Sequence, residues 1–153
     1  MKNDEILQAI ETIKKLKARY FRGVDTGDGQ LVRDILAEDC MLDYRGCFTD
    51  PTTKKDFFPA LNMVLNGKDS WSDVGLAASG IVSVHQGHTA EIDITSEHSA
   101  SAIWSMTDRL FMPQGSTYHQ LRGFGYYHET YEKIDTQWQL KTLRISRIRV
   151  EGL

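Results

Sequence analysis

The chain has 153 residues and a formal net charge of −3, from 18 lysines and arginines against 21 aspartates and glutamates. This length predicts a single domain over residues 1–153 with one sizeable core, and the lack of a basic run predicts that nucleic acid is not a partner. No apolar stretch is long enough to span a membrane, and the charged N-terminus lacks a signal-peptide segment. We therefore expect a cytoplasmic protein with no membrane partner.

The N-terminal part predicts an amphipathic helix, because apolar residues recur there at helical spacing. The apolar face comprises Ile6, Ile10, Ile13, Leu16, Tyr20 and Val24. The lysines expected on other faces are Lys14, Lys15 and Lys17. The segment DTGDG, residues 25–29, then breaks the helix. A short second helix is predicted to follow, capped by Asp28 and with Leu31, Ile35 and Leu36 as its apolar residues.

A strand and a third helix are predicted next. CMLDY, residues 40–44, predicts the strand. TTKKDFFPALNMVLNG, residues 52–67, predicts the helix, which Pro59 kinks or breaks and Gly67 ends. Cys40 and Cys47 fit neither zinc nor redox spacing, so both are expected to be free thiols.

From about residue 80 the apolar period changes to two, which indicates β-strands. The strand candidates are VSVHQGHTAEIDI, ASAIWSMTDRLF, LRGFGYYHETYEKI and WQLKTLRISRIRV, with turns at 96–98, 113–115 and 135–136. Long strands joined by short turns predict an antiparallel sheet, and helices followed by a strand meander predict an α+β fold. We expect the helices to pack on one face of a curved sheet.

Two charged residues fall in step with apolar rows of these strands. Asp108 lies on the same row as Trp104 and Met106, and Arg147 lies on the same row as Leu143 and Ile145. An unpaired charge on a core-facing row is costly, so Asp108 needs either a partner or a function. The candidate partners for a structural ion pair are Arg109, Arg147 and Arg149.

Asp25 and the histidines are ambiguous when each is taken alone. Asp25 follows the end of the long helix, where partial negative charge disfavours a carboxylate, yet it is also an ordinary turn residue. Tyr20 on the apolar stripe would be an ordinary core residue. His85 and His88 are three apart in a strand and therefore face opposite ways. No nearby Cys or His completes a metal site, so we expect no metal.

Five segments together resemble the SnoaL-like domain of the nuclear transport factor 2-like superfamily, over nearly the whole chain. They are LKARYFRGVDTGD, VSVHQGHTAEIDI, WSMTDRLF, GYYHETYEKIDTQWQL and ISRIRV. Within that superfamily the chain is most similar to bile acid 7α-dehydratases and more remotely similar to scytalone dehydratase and hexachlorocyclohexane dehydrochlorinase. The resemblance implies a cone-shaped α+β barrel. Its N-terminal helices pack on a strongly curved, mixed but mostly antiparallel sheet, which surrounds a pocket.

The resemblance also assigns catalytic residues by motif: Tyr20, Asp25, His85, Asp108 and Arg147. Asp25 and His85 match the family's carboxylate–histidine pair. In such a cone, the end of the long helix presents Tyr20 and Asp25 to the strand that carries His85. The resemblance thus explains the carboxylate at the helix end, because Asp25 is expected to pair with the His85 side chain.

These residues predict a cofactor-independent dehydratase that acts on a small hydrophobic hydroxy-carbonyl substrate. A neutral imidazole suits proton abstraction near pH 7, and a carboxylate on its other nitrogen fixes the tautomer. Tyr20 and Arg147 would stabilise the enolate. Isomerisation or polyketide-type cyclisation in the same pocket is an alternative, as is a non-catalytic ligand-binding module or the small subunit of a dioxygenase.

Three further expectations concern the pocket, the cofactor and the assembly. The residues expected to line the substrate pocket are Trp104, Met106 and His88. We expect no metal or organic cofactor, because side chains supply both proton transfer and enolate stabilisation. The segment LRGFGYYHETY puts aromatic residues on both faces of its strand, which predicts a homo-oligomer, a trimer ahead of a dimer.

Overall fold

The computed structural model describes residues 1–72 and 75–153. Two helices open the chain, α1 (Asn3–Thr26) and α2 (Gly29–Arg33). The strands are β1 (Leu36–Asp43), β2 (Val64–Asn66), β3 (Val82–Ser96), β4 (Ser99–Phe111), β5 (Gln120–Ile134) and β6 (Gln137–Gly152). Short 3-10 turns cover Pro59–Leu61, Lys68–Ser70 and Gly75–Ser79.

All six strands form one sheet in the order β2-β1-β6-β5-β4-β3. β1 runs parallel to β6, whereas every other neighbouring pair is antiparallel. The predicted α+β class and the mixed, mostly antiparallel sheet are therefore confirmed, as are the four long strands from residue 82 onwards. Their period of two is visible in β4, where buried residues alternate with more exposed ones.

Helix α1 packs on the sheet through the apolar face predicted from the sequence, with Ile13, Leu16 and Tyr20 buried. Gly27 follows the last helical residue as its C-terminal cap, in a left-handed conformation (φ 69°) that carries no steric penalty for glycine. Lys17 contradicts the prediction, because it is buried too. It lies four residues after Ile13 and three before Tyr20, on the same side of the helix, and it forms an ion pair with Glu129 of β5.

The second helix is shorter than predicted. Asp28 caps α2, as expected, by accepting a hydrogen bond from the Leu31 N–H at 3.0 Å. The helix nevertheless ends at Arg33, and Leu36 already begins β1, where it pairs with Leu140 of β6. Pairing with the sheet therefore replaces the last predicted helical turn.

The prediction of a third helix at residues 52–67 is wrong. The segment forms a turn, the 3-10 turn Pro59–Leu61 and strand β2. Asp50 accepts a hydrogen bond from the Thr53 N–H at 2.8 Å, which fixes a turn where the helix would begin. β2 then pairs with β1, so the segment supplies an edge strand of the sheet.

The core is divided into two adjacent clusters. The larger lies between α1 and the sheet and includes Ile13, Trp104 and Leu143. The smaller surrounds Leu110 and Leu121. Cys40 and Cys47 are buried free thiols, as predicted. Across the described residues, none of the helices has the length and apolar character that crossing a membrane requires.

Candidate active site

The last turn of α1 places Asp25 beside the start of β3. Asp25 Oδ1 lies 2.6 Å from His85 Nδ1 and accepts a hydrogen bond from Ser83 Oγ at 2.9 Å. Asp25 Oδ2 accepts the backbone N–H of His85 at 2.9 Å. The predicted Asp25–His85 contact is therefore present. The three donors compensate the carboxylate for its unfavourable position at the C-terminal end of a helix.

The His85 ring is held with Nε2 directed into the site. Asp25 occupies Nδ1, and Phe21 stacks on the ring with centroids 5.9 Å apart and planes inclined by 15°. The His85 side chain is 8% exposed. Its Nε2 lies 3.8 Å from Asp108 Oδ2, which is too far for a hydrogen bond. When Nδ1–H donates to Asp25, the neutral imidazole has an unprotonated Nε2 that can accept a proton.

Asp108 of β4 and Arg147 of β6 form a bidentate ion pair. Arg147 Nη1 donates to Asp108 Oδ1 at 3.0 Å, and Nη2 donates to Oδ2 at 2.9 Å. Both side chains are 2% exposed. Burial disfavours the charged guanidinium, but attraction to the Asp108 carboxylate outweighs it, so the pKa of Arg147 is raised. Arg147 is therefore the partner of Asp108 among the three arginines that the sequence offered.

Gly123 of β5 leaves the space that this ion pair occupies. A Cβ at position 123 would lie 2.3 Å from both Arg147 Nη1 and Asp108 Oδ1. Arg147 Nε also donates to the carbonyl oxygen of Cys47 at 2.6 Å. The guanidinium is therefore fixed from two sides, by the sheet and by the segment after β1.

Three tyrosines, Tyr20, Tyr44 and Tyr127, add phenol groups to the site. The hydroxyl oxygens of Tyr20 and Tyr44 are 2.7 Å apart, so one donates a hydrogen bond to the other. Tyr127 packs edge-on against Tyr20, with ring centroids 6.0 Å apart. Burial raises the pKa of all three phenols above the usual value. They therefore stay protonated near neutral pH and can act as hydrogen-bond donors rather than as bases.

These polar groups share one cavity of about 490 Å³. The aromatic hydroxyls, the imidazole and the ion pair in its wall come from Tyr20, Tyr44, Tyr127, His85, Asp108 and Arg147. The remaining wall is mostly apolar and includes Phe48, Phe58, Leu61, Trp71 and Ile145. A concave apolar space with a few convergent polar groups is typical of small-molecule sites.

Trp104, Met106 and His88 were expected to line the substrate pocket, but they are not among the residues that border this cavity. His88 is exposed, and its Nε2 lies 3.1 Å from the Thr107 hydroxyl. Trp104 is buried in the core, and the Met106 sulfur accepts a hydrogen bond from Arg147 Nη1 at 3.2 Å. Some side chains on the inner face of the sheet therefore pack in the core, and others line the cavity.

The residues that the sequence analysis missed are Tyr44, Tyr127 and the Lys17–Glu129 pair. Tyr127 and Glu129 are both buried on one row of β5, so the period of two could have identified them. Lys17 Nζ lies 3.4 Å from the centroid of the Tyr127 ring and 4.4 Å from that of Tyr20. Burial lowers the pKa of Lys17 to about 8, although Glu129 opposes this shift. Tyr44 lies just beyond β1, in step with the buried residues Cys40 and Leu42, so the period of two could have identified it as well.

The arrangement suits proton transfer within an apolar cavity. His85 lies in the cavity wall as a possible nitrogen base, and Asp25 contacts its Nδ1 atom. The phenol groups that can donate hydrogen bonds lie in the wall of the same cavity. Within residues 1–72 and 75–153, no three side chains of His, Cys, Asp or Glu come together as a metal site.

The chain was compared with known protein families and structures. A model of the SnoaL-like domain matches residues 5–144. The fold is similar to that of a candidate scytalone dehydratase from Novosphingobium aromaticivorans, with a TM-score of 0.78 and 18% identity over 99% of this chain and 92% of that one. It is also similar to the hexachlorocyclohexane dehydrochlorinase LinA-type3 from Novosphingobium barchaimii, with a TM-score of 0.78 and 15% identity over 99% and 94%.

A third structure, described as LinA, gives a TM-score of 0.80 at 13% identity and covers 100% of this chain and 95% of that one. Identities this low show a shared fold, the cone-shaped α+β barrel, and nothing finer. The family match is different, because it extends over most of the sequence. The chain therefore belongs to the SnoaL-like domain family of the nuclear transport factor 2-like superfamily.

Proposed function

We propose that this protein is a lyase, a dehydratase that removes water from a small hydrophobic hydroxy-carbonyl substrate without a metal or organic cofactor. The observation that carries the proposal is the 2.6 Å contact between Asp25 and His85, since His85 lies in the wall of a largely apolar cavity. The fold neighbours described as a scytalone dehydratase and a dehydrochlorinase support elimination chemistry. The finer resemblance to bile acid dehydratases stays a prediction.

His85 is the proposed general base. Its Nε2 takes the proton from the carbon next to the substrate carbonyl, and the electron pair of that C–H bond moves toward the carbonyl oxygen as an enolate. Asp25 is proposed to hold the tautomer and to stabilise the imidazolium that forms. Hydrogen bonds from Ser83 and the backbone N–H of His85 keep the Asp25 carboxylate aligned for that role.

Tyr20 and Tyr44 are the proposed donors to the enolate oxygen. One of the two hydroxyls donates a hydrogen bond to the other, so the accepting hydroxyl keeps its own O–H for the substrate. Arg147 is a weaker donor than the sequence predicted, because Asp108 already neutralises its charge. Four of its five N–H groups are engaged, by Asp108, Met106 and the Cys47 carbonyl.

Elimination is completed when the enolate collapses. The carbon–carbon double bond forms as the C–O bond on the neighbouring carbon breaks, and the imidazolium gives its proton to the departing hydroxide. Water leaves and His85 is neutral again, so the cycle consumes no co-reactant. The buried Asp108 carboxylate, 3.8 Å from Nε2, would favour the imidazolium during this step.

The test is incubation with cyclic β-hydroxyketones, hydroxysteroids and polyhydroxylated aromatics in buffer that contains a chelator. Mass spectrometry should find a product lighter by one water, and His85→Ala should not form it. A product of unchanged mass would indicate isomerisation. Activity that is lost on chelation and restored by a divalent metal would contradict the cofactor-free mechanism. Unaltered ligand recovered after binding, or a large subunit that co-purifies, would favour the binding-module and dioxygenase-subunit alternatives.

A further inference from the structure

We propose that the cavity selects a neutral ligand over an anionic ligand of the same shape, and that the charged side chains in and behind its wall set this preference. The inference rests on the proposed function in taking the cavity as the ligand site. It concerns binding alone, so loss of binding selectivity and loss of turnover are separate outcomes.

The charges of the site add up to zero or less. Asp108 accepts two hydrogen bonds from Arg147, and the Asp25 carboxylate accepts from Ser83, the backbone N–H of His85 and the His85 ring. Both aspartates act only as acceptors, as carboxylates do. Two carboxylates and one guanidinium give −1 with a neutral imidazole and zero with an imidazolium.

The other polar groups of the wall add no positive charge. The phenols stay neutral, because burial raises the pKa of Tyr20, Tyr44 and Tyr127. Burial likewise raises the pKa of the Cys47 thiol to about 12. Behind the tyrosine rings, Lys17 is paired with Glu129. Among the described lining residues, Arg147 is the one permanently charged cation.

Arg147 is poorly available to a ligand carboxylate. Its guanidinium is 2% exposed and already holds Asp108 through both terminal nitrogens. An incoming anion would lose its hydration without gaining a free cation, and this is costly in an apolar space. A ketone, alcohol or amide loses less hydration and can accept a hydrogen bond from the tyrosine hydroxyls.

The same charge balance suits the proposed reaction. A proton that moves from a neutral substrate to His85 stays inside the site, so the enolate and the imidazolium cancel. With an anionic substrate, the enolate would add a second negative charge to the ligand, and the cavity has no free cation to compensate it.

The experiment compares 2-naphthamide with 2-naphthoate, two bicyclic probes of matched shape that differ in charge at neutral pH. Binding to the full chain is measured by isothermal titration calorimetry. We expect 2-naphthamide to bind at least about tenfold more tightly than 2-naphthoate, because only the latter buries a charge. Equal or tighter binding of 2-naphthoate overturns the proposal, as does failure of 2-naphthamide to bind.

Variants test whether these charges are the cause. Asp25→Asn removes one negative charge yet keeps an oxygen acceptor, so the amide-to-carboxylate affinity ratio should fall at least about threefold. A folded Asp108→Asn protein should have a lower amide-to-carboxylate affinity ratio still, because Arg147 is then free to bind the ligand carboxylate. Leu61→Ala removes an apolar side chain of the cavity wall without changing the charge, so it should weaken both ligands alike and leave the ratio unchanged. A folded Asp25→Asn protein with the wild-type ratio overturns the assignment to these charges.

Discussion

Asp25 approaches His85 twice, once through the ring nitrogen at 2.6 Å and once through the backbone N–H at 2.9 Å. The end of α1 and the start of β3 are thereby tied at the residue that we propose as the base. A carboxylate bonded to both parts of one histidine fixes its ring orientation as well as its tautomer. The contact with His85 therefore accounts for Asp25 at the C-terminal end of α1, where a carboxylate is otherwise unfavourable.

The first prediction concerns Asp25→Asn. An amide retains the contact to Ser83 but cannot stabilise the imidazolium, so turnover should fall by about 10²–10⁴-fold. The melting temperature should change little. Ser83→Ala is the matched control: it removes one hydrogen bond to Asp25 and leaves the His85 contacts, so its loss should stay below about tenfold. Equal losses in the two variants would mean that Asp25 acts only as part of a structural network.

The second prediction concerns the phenol pair. Tyr20→Phe should slow turnover by about 3- to 10-fold, the equivalent of one hydrogen bond, because Tyr44 keeps its hydroxyl. Because the two hydroxyls are bonded to each other, the effects of Tyr20→Phe and Tyr44→Phe should not add in the double variant. Steady-state kinetics on the three proteins measures this. A loss in Tyr20→Phe as large as in His85→Ala would contradict the assignment of a supporting donor.

Much of the site was predictable because period two is a geometric property of strands. Asp108 and Arg147 were each placed on an inward row, and they form one ion pair in the structure. The Asp25–His85 pair had no such signal: their separation along the chain is large, and only the family resemblance connected them. Long-range contacts of this kind are not encoded in local periodicity.

The segment 52–67 could not be predicted for a related reason. Phe57, Leu61 and Val64 have the spacing of a helical stripe. Their conformation is instead set by contacts with distant residues, since Asp50 accepts the backbone N–H of Val150 at 2.9 Å and β2 pairs with β1. Part of the apolar cavity wall comes from this segment, so the lining residues were missed with it.

The third prediction concerns acid stability. Hydrogen bonds from the backbone N–H groups of Thr53 and Val150 lower the pKa of Asp50 to about 2, against about 3.9 in an unfolded chain. A depressed folded pKa gives stability that is complete above about pH 4 and lost as the pH falls toward 2. Urea unfolding at several pH values should therefore show a steeper acid loss in the wild type than in Asp50→Asn. Parallel pH profiles would contradict the prediction.

The fourth prediction is a homo-oligomer, a trimer ahead of a dimer. Strand alternation places a set of exposed apolar side chains on the sheet face opposite the cavity: Val82, Val84, Ile103, Phe111 and Tyr126. Such a patch marks a contact surface. Light scattering at micromolar concentration should give the mass of three chains. Ile103→Lys should reduce it, whereas Leu7→Lys, at an exposed position of α1, should not. A monomer mass for the wild type would contradict the prediction.

The proposed role of His85 is tested most directly by proton exchange in D₂O. A cyclic hydroxyketone that binds the cavity is followed by nuclear magnetic resonance at the carbon next to its carbonyl. The wild-type protein should remove that proton, which is seen either as exchange with deuterium or as release of the unsaturated ketone, while His85→Ala should bind the same ligand and do neither above the buffer rate. Proton loss that persists in His85→Ala, or a wild-type protein that is saturated with such a ligand and neither exchanges the proton nor releases the unsaturated ketone, would contradict the role of His85 as the base.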